Sequence, residues 1–382
     1  MENPLKLLNS STPKGRQEHS GPPSEALQRL LRAVLKYKAS DLHLKVDRPP
    51  LYRIDGKLIA AKSPPLSNQT IQELLYSFLN ETQVHFLEKH SQVDCSFEVQ
   101  NTGRFRANVY FQKGKTAAAL RWIPTQVPSF ETLNLPVTLK ELIHKKRGLI
   151  LITGSTGSGK STTLASLVNF INYTYPAHII TIEDPIEFIY QDNKSSITQR
   201  EIGIDAPSMK DALIGALRQD PDVIIIGEMR DYETIQAALT AAEVGHLVIS
   251  TLHTRDAKSS ITRILDVFPS ESKNQVRMQL GSSLLAVISQ KLLDQANGKG
   301  RIPVCEILIK SPTIEQLILN NELEKIEETI ASSKTYYQMQ TFNQALEELV
   351  VNNTITEEEA LKASSVPNDL KLRLAGFKKE EN

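Results

Sequence analysis

A chain of 382 residues, with 44 Lys and Arg against 44 Asp and Glu, has room for two or three domains with real cores and carries no formal net charge. That balance speaks against a machine that holds DNA or RNA by neutralising phosphates, which calls for a basic excess or stripe. Its two cysteines, Cys95 and Cys305, stand far apart and outside any C-x-x-C pair, which argues against a disulfide framework and a zinc site and fits a reducing compartment.

Residues 1–23, rich in Ser, Pro, Lys and Asn, read as a mobile tail with no apolar signal-peptide core. No later run approaches the roughly 18 uncharged apolar residues of a membrane span. The chain is therefore expected in the cytoplasm, touching a membrane only through partners. Ser24 is placed as an N-cap, and Leu27, Leu30, Leu31, Val34 and Leu35 follow at the spacing of one helical face. Ser40–Val46 alternates like a half-buried strand, and Asp55-Gly56 between Tyr52–Ile54 and Lys57–Ile59 signals a two-residue hairpin. Residues 68–88 read as helical. Asp94–Val99, Arg104–Gln112 and Lys115–Trp122 read as strands. Residues 24–124 thus form a small α+β domain with an antiparallel sheet. Pro128 and Pro136 punctuate a linker over 125–137. From 138 the texture is α/β: the apolar strands Leu149–Thr153, His178–Glu183, Val223–Gly227 and His246–Thr251 alternate with helices, as in a parallel sheet covered on both faces. This domain is expected to extend to 365, helical and more charged after 310, with a charged tail over 366–382.

The most informative segment is Gly154-Ser155-Thr156-Gly157-Ser158-Gly159-Lys160-Ser161. It stands between an apolar strand and the helix opened by Thr162, the context a G-x-x-x-x-G-K-S loop requires. The glycines let backbone N–H groups converge on phosphate oxygens without Cβ clashes, and the helix N-terminus adds partial positive charge. Residues 154–162 are thus the expected cradle for ATP: Gly154, Ser155, Thr156, Gly157, Ser158, Gly159, Lys160, Ser161 and Thr162. Lys160 would reach the β- and γ-phosphates and Ser161 would hold Mg²⁺.

Three more segments bear on the chemistry. Ile179–Phe188 places Glu183 and Asp184 at the C-terminal end of an apolar strand, where ligands of parallel sheets gather. Glu183 is a candidate to orient or deprotonate the attacking water. Asp222–Asp231 delivers Glu228 past a buried strand as a candidate Mg²⁺ partner, departing from the usual Walker-B ending in Asp. The residues alone do not say which of Glu183 and Glu228 is the base and which serves the metal. Gly245–Thr254 ends a third strand in a Ser/Thr-rich exit with His253, placed to sense the γ-phosphate, although a lone histidine is more often structural. In the small domain Arg104 and Arg106 alternate on one strand and so share a face, as a solvated surface or as charge donors acting across a subunit boundary.

With these residues assembled, the chain resembles the secretion-type ATPases, and among them the PilT/PilU retraction ATPases of type IV pili. The likeness runs from about Ser24 to Leu374. It rests on the P-loop, on Thr181–Phe188 (similar to the family's "Asp box"), on Ile226–Asp231 (its Walker B) and on Gly245–Thr254 (its "His box"), with Ala39–Leu44, Gly103–Asn108, Asp266–Pro269 and Met339–Phe342 beside them. The resemblance implies a PAS-like N-terminal domain, a RecA-like ATPase domain and a homohexamer with ATP between the domains. Glu183 would be the catalytic acid, Glu228 the Walker-B acid near Mg²⁺, His246 and His253 members of the His box, and Arg104 and Arg106 would approach nucleotide from the small domain. The motor would act at the inner membrane on a PilC-like platform protein, in twitching motility, beside a PilT/PilU paralogue.

Two departures refine this. The pilus-extension and type II secretion ATPases carry four zinc-binding cysteines that are missing between Gln290 and Cys305, which favours retraction over those alternatives. PilT's Ala-Ile-Arg-Asn-Leu-Ile-Arg-Glu signature reads Thr313-Ile314-Glu315-Gln316-Leu317-Ile318-Leu319-Asn320 here, and the tail after Ser364 is more similar to PilU. A PilU-like accessory role is the expectation, with stand-alone PilT next. A RecA-like nucleic-acid motor and a non-catalytic nucleotide-binding regulator are the readings of other classes.

Overall fold

The computed structural model describes residues 22–380 apart from 55 and 125. The expected mobile tail lies almost wholly outside the described residues, as do Asp55 of the expected hairpin and residues 381–382. The chain divides into two compact units, Met1–Gln126 and Val127–Asn382.

In the first unit, α1 (Glu25–Lys36) is capped by Ser24, whose hydroxyl accepts from the Leu27 N–H. Then come β1 (Asp41–Lys45), β2 (Leu51–Ile54), β3 (Lys57–Ala60), α2 (Asn68–Tyr76), α3 (Glu81–His90), β4 (Gln92–Val99), β5 (Gly103–Gln112) and β6 (Lys115–Ile123). The helical stretch expected over 68–88 is divided between two helices. Asn80 and Gln83 form a reciprocal capping box that starts a second helix there. The six strands pair antiparallel in the order β3-β2-β1-β6-β5-β4. Leu42, Leu44, Phe105, Ala107, Val109 and Leu120 line the inner face and pack with Leu27, Leu31, Ile71 and Leu75 of the helices.

The second unit runs α4 (Thr138–Leu142), β7 (Gly148–Thr153), α5 (Lys160–Thr174), β8 (His178–Glu183), β9 (Ser196–Glu201), α6 (Met209–Ala216), β10 (Val223–Ile226), α7 (Tyr232–Val244), β11 (Leu247–Leu252), α8 (Ala257–Asp266), α9 (Lys273–Ser283), β12 (Leu284–Asp294) and β13 (Arg301–Ile309). The helices α10 (Pro312–Leu319), α11 (Ile326–Ser332), α12 (Lys334–Tyr337), α13 (Phe342–Val351), α14 (Glu357–Ala363) and α15 (Pro367–Glu380) follow. The sheet order is β13-β12-β7-β11-β10-β8-β9. All neighbours are parallel except the β12–β13 hairpin. The four expected strands are the central four, and three more flank them. Alternation along the fully buried strands sends side chains to opposite faces. Leu149, Leu151, Ile180, Ile182, Ile224 and Ile226 pack with Leu239, Ile261 and Leu280, while Ile150, Ile152, Ile179, Ile225 and Ile249 pack with Leu164, Leu167 and Ile171. A sheet covered on both faces leaves only its strand ends open to a ligand. A separate cluster joins Leu293, Ile302 and Val304 of the hairpin to Phe342, Leu346, Leu370 and Leu374.

Candidate functional site

Sheet order brings the motif segments together. β7, β11, β10 and β8 are consecutive, parallel neighbours, so their C-terminal ends deliver the glycine loop, His253, Glu228 and Glu183 in one row. Neighbouring strands lie about 4.8 Å apart, which puts adjacent members of the row within side-chain reach.

The loop has the backbone its sequence demands. Gly154, Gly157 and Gly159 sit at φ +148°, +81° and +90°. A Cβ at Gly154 would lie 2.4 Å from the Gln290 carbonyl oxygen, so only glycine fits there. Lys160 opens α5 and is only 7 % exposed. Its Nζ donates to the carbonyl oxygens of Gly154 and Ser155 at 2.8 and 3.1 Å. Burial pulls its pKa down, with Glu228 and Glu187 pulling the other way. The buried Ser158 Oγ has no hydrogen-bond partner. A helix N-terminus, a buried ammonium and a cradle closed to Cβ atoms together fit a polyphosphate.

His253 connects Lys160 to Glu228. Its Nδ1 lies 3.5 Å from Lys160 Nζ and its Nε2 3.1 Å from Glu228 Oε1. An ammonium can only donate and a carboxylate can only accept, so the neutral tautomer protonated at Nε2 satisfies both contacts. The other oxygen of Glu228 accepts from Arg230 at 2.8 Å. Glu183, at the end of β8, is held by a different set. Its Oε1 accepts from the Thr181 hydroxyl at 2.7 Å and from Gln199 Nε2 at 3.3 Å, and its Oε2 accepts from the Glu187 N–H at 3.3 Å. Burial pushes its pKa up, and the Thr181 hydrogen bond is the largest influence opposing that rise. Gln199 on β9 also ties down the loop beyond Glu183, through the Phe188 carbonyl and the Tyr190 N–H.

The structure thus brings Lys160, His253 and Glu228 into direct contact and sets Glu183 on the strand beside Glu228. His246 is not with them. It precedes β11, which starts beside Gly148, and its Nδ1 meets the Pro221 carbonyl at 2.9 Å, at the opposite edge of the sheet from His253. Six strand residues separate the two, about 20 Å of chain. Arg104 and Arg106 belong to the first unit. They project from β5 on the face away from the Phe105, Ala107 and Val109 core, and Arg106 lies 3.9 Å from Asp94. Thr181, Gln199, Arg230 and Gln290 were not anticipated. Of these, Thr181, two residues before Glu183, and Arg230, two residues after Glu228, carry a local sequence signal.

The expected donors for a metal are two, the Ser161 hydroxyl and the Glu228 carboxylate, both hard oxygen donors. Among the described residues no cluster of three or more His, Cys, Asp or Glu side chains could hold a metal by itself. Such a set fits Mg²⁺, which takes one or two protein oxygens and completes its shell with phosphate and water.

Over residues 16–362 the chain matches the type II/IV secretion system protein family. It belongs to that family of secretion-system ATPases. The type IV pilus retraction ATPase PilT of Pseudomonas aeruginosa is 42% identical over 340 residues, 89% of this chain and 98% of that protein. The type IV pilus ATPase PilU of the same organism is 39% identical over 350 residues, 91% of either chain. A crystal structure of the pilus retraction motor PilT with bound ADP superposes with a TM-score of 0.85 at 47% identity, covering 91% of this chain and 99% of that one. No helix among the described residues is long and apolar enough to cross a membrane.

Proposed function

We propose that this chain is a homohexameric ATPase whose hydrolysis of ATP, with Mg²⁺, powers type IV pilus retraction in a PilU-like accessory role. In this reading the first unit is a PAS-like domain over 24–124, and 138–365 is a RecA-like ATPase domain with its C-terminal helices. The motor is cytoplasmic and docks at the inner membrane on a PilC-like platform beside a PilT paralogue. The observation that carries the reading is the Lys160–His253–Glu228 chain, beside Glu183 in the same row, in a protein alike over nearly its full length to PilT and PilU.

The chemistry follows from those residues. The N–H groups of 154–162 bind the phosphates, and Lys160 exchanges its two loop carbonyls for phosphate oxygens. When bound, Mg²⁺ neutralises charge on the β- and γ-phosphates, with Ser161 and Glu228 as its protein partners. Glu183, enclosed and with a raised pKa, is the general base for the attacking water. Glu228, already engaged by His253 and Arg230, acts on the phosphate side. His253, touching both Lys160 and Glu228, is placed to register whether a γ-phosphate is present. Arg104 and Arg106 supply charge to the nucleotide of a neighbouring copy.

The test is made in cells lacking this protein. Retraction predicts that filaments are still made and that their shortening under load is weakened or lost. Absence of filaments would instead make it an assembly ATPase. Loss of retraction without any PilT partner would assign it the stand-alone role.

A further inference from the structure

β12 lies beside β7 in parallel, with Ser289 opposite Thr153 at the mouth of the glycine loop. The next residue, Gln290, is 2 % exposed. A buried carboxamide is stable only when its polar atoms are satisfied, and the side-chain hydrogen bonds of Gln290 go to the loop and the first turn of α5. Its Nε2 donates to the Ser158 carbonyl at 2.7 Å, and its Oε1 accepts from the Thr163 hydroxyl at 2.9 Å. The carbonyl can only accept, so it fixes which end of the amide faces the loop. The fit around it is close: a Cβ at Gly159 would lie 2.8 Å from Gln290 Nε2.

These contacts have a directional consequence. In a planar trans peptide the C=O and the following N–H point in opposite directions. A Ser158 carbonyl held towards Gln290 therefore turns the Gly159 N–H the other way. Gly159 is in the left-handed region at φ +90°, a conformation with no preference of its own for that orientation. We propose that Gln290 is a positioning residue of the nucleotide site: by holding the 158–159 peptide from the side of β12, it keeps the Gly159 N–H aimed into the phosphate cradle. This rests on the reading of 154–162 as a nucleotide cradle.

The test is ADP titration by calorimetry on the full chain, paired with melting curves with and without ADP. Gln290→Met keeps the volume and removes the amide, and Thr163→Val removes only the hydroxyl. Lys291→Met alters the next residue of β12, whose Nζ meets the Ala363 carbonyl at 2.7 Å on the opposite side. ADP affinity should fall about ten- to hundredfold in Q290M, where the Ser158 carbonyl loses its donor, and about three- to tenfold in T163V, where the amide loses the hydroxyl that orients it. It should stay within about twofold of wild type in K291M. T163V leaves the buried Gln290 Oε1 without its donor and should melt somewhat below wild type without nucleotide, but it should also show a smaller ADP-induced rise, which a merely structural role would leave intact. Should Q290M not fold, T163V decides. ADP binding in Q290M or T163V within about twofold of wild type, or an equal loss in K291M, would overturn the inference. If wild type itself fails to bind ADP, the cradle reading falls and takes this inference with it.

Discussion

At the scale of single residues the two acids of the site have different surroundings, and this gives them different expected phenotypes. Glu228 sits between His253 Nε2 and Arg230, its side chain 20 % exposed. Glu228→Gln keeps an oxygen for the His253 N–H but loses the charge and the second acceptor, the one that faces Arg230. Nucleotide binding should persist while turnover falls on the order of a hundredfold. Lys160→Ala should lose binding itself, because the phosphates lose their buried cation. A titration and a steady-state assay on the pair separate the two outcomes; unfolding of E228Q would make Glu228 structural, and unchanged turnover in K160A would refute the site. Glu183 is the acid with a pH signature. Burial raises its pKa, and a base must be ionised to act, so kcat/KM should fall on the acid side at a pH above the ordinary carboxylate range. Thr181 donates to the ionised form at 2.7 Å. Thr181→Val should therefore move that acid limb to still higher pH. A limb that stays put or moves down would remove Glu183 from the role of base.

At the scale of elements, α8 gives a stability prediction that does not touch the chemistry. Its first N–H, on Ala257, donates to Oε1 of Glu306 on β13 at 2.7 Å. Burial drives the Glu306 pKa up to about 7. Between about pH 4.5 and 7 the folded chain holds a proton that the unfolded chain has lost, so stability falls with rising pH across that window and levels off above it. Glu306→Gln keeps the oxygen that caps α8 and has no proton to lose. It should flatten the slope in that window and raise stability at pH 8 by roughly 1–3 kcal/mol, read by chemical denaturation at pH 5, 6, 7 and 8. Elements also set how much could be read in the sequence. β7, β8, β10 and β11 are apolar on both faces and stand out as runs. β9, Ser196–Glu201, is a polar edge strand whose pairing with β8 no periodicity announces. Gln290 is a lone amide in the strand Leu284–Asp294, and only the sheet order reveals that it faces the glycine loop. The order of the strands, and the three that flank the apolar four, were the missing information. Strand order brings Gln199 of β9 to Glu183 of β8, whereas the length of β11 alone separates His253 from His246, and the two-residue period of β8 puts Thr181 on the same face as Glu183.

At the scale of the whole molecule, charge decides between a motor acting on protein and one acting on nucleic acid. Lys and Arg number 44, as do Asp and Glu. Local arrangement matters more than the total, and the outer face of the first unit's sheet carries Arg53, Arg104, Arg106 and Arg121. That face also carries its own counter-charges. Asp41, nearly buried, accepts from Arg121 at 2.8 Å and lies 3.8 Å from Arg53, and Asp94 lies 3.9 Å from Arg106. These carboxylates lower the net positive charge of the face, so a nucleic-acid backbone lying along it would neutralise few phosphates and release few counterions. ATP turnover by the purified protein should therefore change by less than about twofold when single- or double-stranded DNA, or RNA, is added at low salt, where such contacts are strongest. A tenfold stimulation that fades as salt rises would transfer the energy of this site to a nucleic-acid track and leave the pilus without its claim on it.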